Sequence, residues 1–149
     1  MDDNDFEDIA KKAVETFDEI LELEKKIEEN PKDAEALRRL GYLYEYRGDL
    51  ENAEKVIKIL MKLEPGNPRY NIALGRVYVE WGKKDLAEKE LKIVLAIDPK
   101  NCEAITSMGV LRYNNGQRQD AINCFRKVIE LNPDDPEAYQ HLSAILGQK

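Results

Sequence analysis

Long apolar runs are missing from this sequence. No segment approaches the ~18 consecutive apolar residues of a membrane span, so no membrane partner is expected. A basic leader is missing as well. The chain opens Met1-Asp2-Asp3-Asn4-Asp5, acidic where a secretory or transit peptide carries positive charge, and the cytoplasm is the expected location. Histidine is represented by His141 alone, and the two cysteines, Cys102 and Cys124, lie 22 residues apart with no Cys-x-x-Cys. That spacing makes neither a zinc signature nor a disulfide framework, so two free thiols on helices are expected. His141 has no nucleophile pattern beside it and reads as a surface residue. No Gly-x-x-x-x-Gly-Lys loop is present to cradle phosphate. The acid pairs are those expected of solvated helix faces in a chain with 30 Asp and Glu. With no catalytic, metal or cofactor site in view, an enzyme is not expected.

Positive charge is scarce where nucleic acid would need it. The net charge is −7, and residues 1–33 carry 13 acids against 5 bases while the remainder carries 17 against 18. The acidity therefore belongs to the N-terminal segment. No basic stripe exists for a phosphate backbone, and no nucleic-acid partner is expected.

What the sequence does contain is a period. Shifted by 34 residues, it falls onto itself: Leu40-Gly41 recurs as Leu74-Gly75 and Met108-Gly109, Gly48 as Gly82 and Gly116, and Ala53 as Ala87 and Ala121. Ile57, Leu91 and Phe125 share a slot, as do Leu60, Val94 and Val128. Units close on Leu63-Glu64-Pro65, Ile97-Asp98-Pro99 and Leu131-Asn132-Pro133, with Pro31 one period upstream. Apolar residues at helical spacing (Leu37, Leu40, Tyr44; Leu74, Val77, Tyr78) mark a first helix in each unit. Gly48, Gly82 and Gly116 mark the turn that ends it. A second helix carries Ala53, Val56, Ile57, Leu60 and Leu63 and stops ahead of the proline. Asp33, Asn67, Asn101 and Asp135 stand where helix caps belong, two of them before a proline at the first helical position. Gly41, Gly75 and Gly109 sit mid-helix, where glycine costs ~1 kcal/mol relative to alanine. The spacing thus predicts another helix backbone crossing closely at each.

These residues resemble the tetratricopeptide repeat (TPR) family, in which a large apolar residue, Leu-Gly, Tyr, Gly, Ala, an apolar residue, a small residue and Pro follow in order. The resemblance implies an all-α fold, a right-handed α-solenoid of antiparallel helix-turn-helix repeats. Three full repeats fall at 34–67, 68–101 and 102–135. Residues 136–149 form a half repeat, a C-terminal capping helix with Tyr139, Leu142, Ser143 and Leu146 in register, and the whole is expected as one domain. Asn71 departs from the pattern in repeat two and Arg112 in repeat three, where tyrosine is usual. The stem of Arg112 is expected along apolar surface with its guanidinium in water, with an ion pair as the alternative.

Residues 1–33 form the acidic N-terminal cap. Residues 5–29 contain no Gly or Pro, and Phe6, Ile9, Ala13, Phe17, Ile20, Leu21 and Ile27 recur with a period near 3.6. One helix of ~37 Å is expected, about twice a repeat helix. Glu19 and Lys26 occupy slots the repeats give to small residues, as suits a helix with no preceding partner.

In the family, first helices line a concave surface that holds a peptide or a partner's helix. Carried over by register, that implies Glu35, Arg38, Tyr42, Glu45 and Tyr46 in repeat one. Repeat two supplies Arg69, Ile72, Arg76, Val79 and Glu80, and repeat three Glu103, Thr106, Val110, Tyr113 and Asn114. These positions are expected to escape the core, and their tyrosines, aliphatics and arginines are types enriched at interfaces. Family members that grip the acidic tails of chaperones use a clamp of lysines, asparagines and an arginine. Its slots here hold Arg38, Tyr42, Ala73, Glu103 and Ser107, so such tails are not expected as partners. The leading reading is an adaptor or scaffold that binds a peptide or helix of mixed apolar and acidic character. One alternative is self-association as a homodimer through the long N-terminal helix, whose Phe6, Ile9 and Ala13 exceed what capping needs. Another is an engineered repeat scaffold without a natural partner.

Overall fold

A computed structural model describes residues 3–147, and among these the chain forms eight α-helices and no strand. They are α1 (Asp3–Glu29), α2 (Ala34–Tyr46), α3 (Leu50–Leu63), α4 (Pro68–Trp81), α5 (Lys84–Ile97), α6 (Cys102–Asn114), α7 (Arg118–Leu131) and α8 (Pro136–Leu146). None of the described helices is long and apolar enough to cross a membrane. Two compact units divide them: Met1–Gly66 with α1 to α3, and Asn67–Lys149 with α4 to α8.

Helix starts follow the sequence signals. Asp33 accepts the Ala36 N–H, Asn67 that of Arg69, Asn101 that of Ala104, and Asp135 those of Glu137 and Ala138. Each thereby satisfies a donor that the first turn leaves without an intrahelical partner. Helix α4 ends on Gly82 at φ 74°, a left-handed conformation that glycine adopts without strain. The turns into the second helices are capped unevenly. Asp49 accepts the Asn52 N–H ahead of α3, whereas Lys83 and Gln117 give α5 and α7 no side-chain cap.

Helices α2 and α3 pair in the first unit, and α4 with α5 and α6 with α7 in the second. Ala53, Ala87 and Ala121 are fully buried. The mid-helix glycines are also buried, but what lies beside them is not the expected backbone. A Cβ on Gly41 would stand 3.3 Å from Val56 Cγ1, on Gly75 2.8 Å from Leu91 Cδ2, and on Gly109 2.8 Å from Phe125 Cζ. A side chain of the second helix fills the space that each glycine opens, and the neighbour grows from valine to leucine to phenylalanine. Backbone is among the three nearest atoms only at Gly75, where the Ala87 carbonyl oxygen would lie 3.8 Å from the added Cβ.

The second unit's core is built on α7. Phe125 packs with Ala121, Ile122 and Ile145, flanked by Val110 and Leu142, while Val128 packs with Ile105 and Ala138. Helix α8 presents Ala138 and Ile145 inward and leaves Tyr139 and Leu146 exposed. Tyr139 occupies the slot of Asn71, which in α4 donates to Glu90 on that helix's own second helix. Among the described residues α8 has no second helix, so this slot opens to solvent while the neighbouring slots meet α7. His141 stays partly exposed, as a surface residue would, but its ring also stacks on Phe125 at 4.8 Å. Arg118 on α7 donates to the Ile145 carbonyl at 2.7 Å, satisfying an acceptor in the last turn of α8.

Arg112 takes the alternative of an ion pair. Its guanidinium donates to Glu88 on α5 at 2.6 Å and to Gln117 at 3.2 Å, and Lys92 also reaches Glu88 at 3.2 Å. In the absence of the usual tyrosine, this pair joins α6 to α5. The Arg112 hydrogen bond, followed by that of Lys92, holds the Glu88 carboxyl below its ordinary range. A carboxylate depressed in the folded state adds stability above its unfolded pKa and loses it as pH falls through the folded value. Glu88→Gln is therefore expected to destabilise the second unit by about 1 kcal/mol at neutral pH. The gap from wild type should close as pH falls from about 6 to about 3. Urea midpoints measured across that range check this, and a gap that is constant or widens in acid would contradict it.

Candidate functional site

In the first unit, α2 carries Arg38, Tyr42, Glu45 and Tyr46. Their spacing of four and four between positions 38, 42 and 46 places three of them on one face of the helix. Tyr42 and Tyr46 are exposed, and their rings stack 6.4 Å apart at 19°. Arg38 donates to Glu64 at 2.9 Å, and Glu45 is half-buried. Sequence reading overlooked Arg39, which the structure makes central. It forks onto Glu19 of α1 through Nε at 2.6 Å and Nη2 at 3.0 Å, and its guanidinium lies 5.6 Å from the Tyr42 ring centre. The hydrogen bond from Arg39 holds the Glu19 carboxyl below its usual range. Glu19 thus ties the long helix to α2 in the slot where a repeat would place a small residue. One turn on, the buried Tyr44 hydroxyl donates to Glu24, and burial together with that carboxylate pushes the phenol far above its ordinary range.

The N-terminal half of α1 runs past this clamp. Lys12 Nζ lies 5.8 Å from the Tyr46 ring centre and the Arg47 guanidinium 5.6 Å from that of Phe17. A cleft of about 330 Å3 lies there, lined by Ile9, Lys12, Ala13, Thr16, Tyr46 and Arg47.

In the second unit, two stripes of identical spacing lie on adjacent first helices: Arg69, Ile72, Arg76 and Val79 on α4, and Glu103, Thr106, Val110 and Tyr113 on α6. Helix α4 packs directly on α6. Arg76 donates to Glu103 at 2.7 Å, so the two stripes meet along one face. The stripes are not uniformly open. Ile72 and Thr106 are only 3% and 9% exposed, which overturns the expectation that every lining position escapes the core. Val110 packs against the Phe125 cluster and is half-buried. Arg69, Tyr113 and Asn114 are exposed, and Arg76 and Val79 partly so. The result is a face with a buried floor, aliphatic sides and a charged pair across it.

A second cleft of about 330 Å3 opens in this unit among Leu95, Pro99, Ile105, Met108, Asn123, Cys124 and Lys127. Both cysteines are free, and burial raises the Cys124 thiol above its ordinary range, which lowers the thiolate fraction a nucleophile needs.

Comparison with known proteins follows this geometry. The tetratricopeptide repeat family matches residues 102–135 in one form and residues 10–68 and 39–101 in another. Among solved structures, MamA (residues 41 to the end) from Desulfovibrio magneticus RS-1 is similar, with a TM-score of 0.71 at 22% identity over 97% of this chain and 85% of that one. The first TPR domain of human RPAP3 has a TM-score of 0.68 at 24% identity, covering 79% of this chain and 93% of that one. The first TPR of Spaghetti (RPAP3), bound to the HSP90 peptide SRMEEVD, has a TM-score of 0.65 at 24% identity, covering 76% and 90%. No curated protein sequence matches the chain.

Proposed function

The chain belongs to the tetratricopeptide repeat family, whose members generally serve as protein-interaction modules and are typically not catalysts, and we propose that it is a cytoplasmic adaptor that binds a peptide or partner helix on the α4–α6 face. The observation that carries this reading is the Arg76–Glu103 pair at 2.7 Å, which draws two equally spaced stripes into one surface. On the same stripes Ile72 and Thr106 are buried, while Val79, Tyr113 and Arg69 reach the surface. Aromatic and arginine side chains around a desolvated floor are the combination that concentrates binding energy. The fitting ligand alternates apolar side chains with carboxylates, the former for the aliphatic sides and the latter for Arg69 and Arg76.

A short chaperone tail that relies on a cationic clamp for its carboxylates fits less well. Glu103 projects a carboxylate into the face, and Ser107, at another clamp slot, is buried. Peptide SRMEEVD, which Spaghetti (RPAP3) holds, is expected to bind this chain no more tightly than about 100 µM, an affinity left when its principal charge contacts are absent. Micromolar affinity by calorimetry would overturn that exclusion.

Selection of a displayed random-peptide library on wild type and on Arg76→Glu/Tyr113→Ala tests the main reading. Wild type should yield a consensus of mixed apolar and acidic residues. The variant should bind that consensus about thirtyfold more weakly, the scale of losing one arginine or aromatic anchor. Identical peptides selected on both proteins at equal affinity would remove the α4–α6 face as the site.

A further inference from the structure

We infer that the cleft among α5, α6 and α7 is a small-molecule site for a free fatty acid, an alkyl chain that ends in a carboxylate. The inference is independent of the α4–α6 peptide face. The cleft's volume of about 330 Å3 lies at the lower end of the roughly 300–1,000 Å3 typical of small-ligand pockets. Leu95 reaches it from α5, Pro99 from the turn that follows, and Ile105 and Met108 from α6. All four are apolar. They offer a peptide backbone nothing for its N–H and C=O groups, which cost free energy when buried without partners. An alkyl chain brings no such groups.

The combination of residues here is particular to the third repeat. Ile105 and Cys124 stand 34 positions after Asn71 and Glu90, and in that earlier pair the Asn71 amide donates to the Glu90 carboxylate at 2.8 Å, filling both slots with a polar bond. In the first repeat the same slots hold Leu37 and Val56, 1% and 7% exposed. The slot of Lys127 holds Ile59 and Ile93 in the other two repeats. Only the third sets an apolar pair beside a cation.

Charge identifies the head group. Asn123 and Lys127 lie one turn apart on α7, which places them on the same face of the helix, and Lys127 is the one charged residue in the lining. No ion pair joins Lys127 to another described residue. Asn123 accepts from the Gln119 amide at 3.1 Å through Oδ1, which leaves its own N–H groups to donate. The two polar side chains of the lining thus both present donors, and an ionised carboxylate is the acceptor that gains most from them. No acid lines the cleft to repel it.

Decanoate is the probe. Calorimetry with the full chain is expected to show one site with a Kd on the order of 100 µM, in keeping with a ligand of that size. Lys127→Glu should weaken it about tenfold or more, the scale of one charge-assisted hydrogen bond, with helicity unchanged because Lys127 is exposed. Cys124 lines the cleft and Cys102 does not, so decanoate should slow alkylation of Cys124 by iodoacetamide and leave Cys102 unaffected. At equal concentration 1-decanol, which lacks the charge, should protect Cys124 far less. Absence of binding would overturn the proposal. Equal binding by wild type and Lys127→Glu would do so too, since it would mean partition onto apolar surface in general. Unchanged alkylation of Cys124 would place the ligand outside this cleft and end the proposal as well.

Discussion

Phe125→Ala is expected to lower the stability of the second unit by about 3–5 kcal/mol, the range for deleting a buried aromatic ring. The ring is 1% exposed, packs with Ala121, Ile122 and Ile145, and carries the stacked His141 on one face. Little around it can collapse into the space it would leave. Fluorescence of Trp81, the chain's single tryptophan, reports on this unit during urea unfolding. The ring also explains Gly109, since a Cβ there would stand 2.8 Å from Phe125 Cζ, 2.9 Å from Cε1 and 3.1 Å from Cys124 Cβ. Gly109→Ala alone should therefore destabilise by about 1–3 kcal/mol from overpacking, against a helix-propensity gain of about 1 kcal/mol. In the Phe125→Ala background the aromatic obstacle is gone, and the same substitution should become neutral or stabilising. The coupling between the two sites decides the matter. An equal penalty in both backgrounds would mean that Gly109 is glycine for another reason.

The parts of this fold legible in the sequence are those set by local chemistry repeated at one spacing. Caps at Asp33, Asn67, Asn101 and Asp135, the turn at Gly82, and the buried Ala53, Ala87 and Ala121 each need one residue type at one position, and each recurred every 34 residues. Side-chain pairings have no such period. Arg112 and Glu88 lie 24 positions apart, Arg39 and Glu19 20, and nothing in one sequence says which acid a long flexible cation will reach. Depth was likewise out of view: helical phase gave the direction of Ile72 and Thr106 but not how far the neighbouring helix covers them. In α8, Tyr139 stands in the repeat's register yet is exposed, because burial of that slot depends on a second helix that is absent among the described residues. The N-terminal stripe was visible in the period of Phe6, Ile9, Ala13 and Phe17, whereas its cleft with Tyr46 and Arg47 required the course of α2.

Ala87→Leu is expected to cost about 1–3 kcal/mol, as extra carbons in a filled core do. Leucine and alanine are both strong helix formers, and leucine brings more apolar surface to bury, so propensity and transfer oppose a loss only weakly or favour the change. The expected loss comes from space. Ala87 has no exposed surface, its carbonyl oxygen lies 3.8 Å from where Gly75 would carry a Cβ, and Leu91 already fills the gap at 2.8 Å from that same point. Three further carbons on α5 can enter only by pushing α4 away or by forcing Leu91 from its rotamer. Ala96→Leu on the exposed side of the same helix is the matched control, expected within about 0.5 kcal/mol of wild type. For a unit of this size a loss of 1 kcal/mol lowers the melting temperature by about 4–8 °C, so the two variants should separate clearly in thermal melts followed by Trp81. Equal melting temperatures would show that α4 and α5 are not held at the distance the small residues imply. A loss confined to position 87 would make that distance, set by Gly75 and Ala87 together, the reason both residues are small.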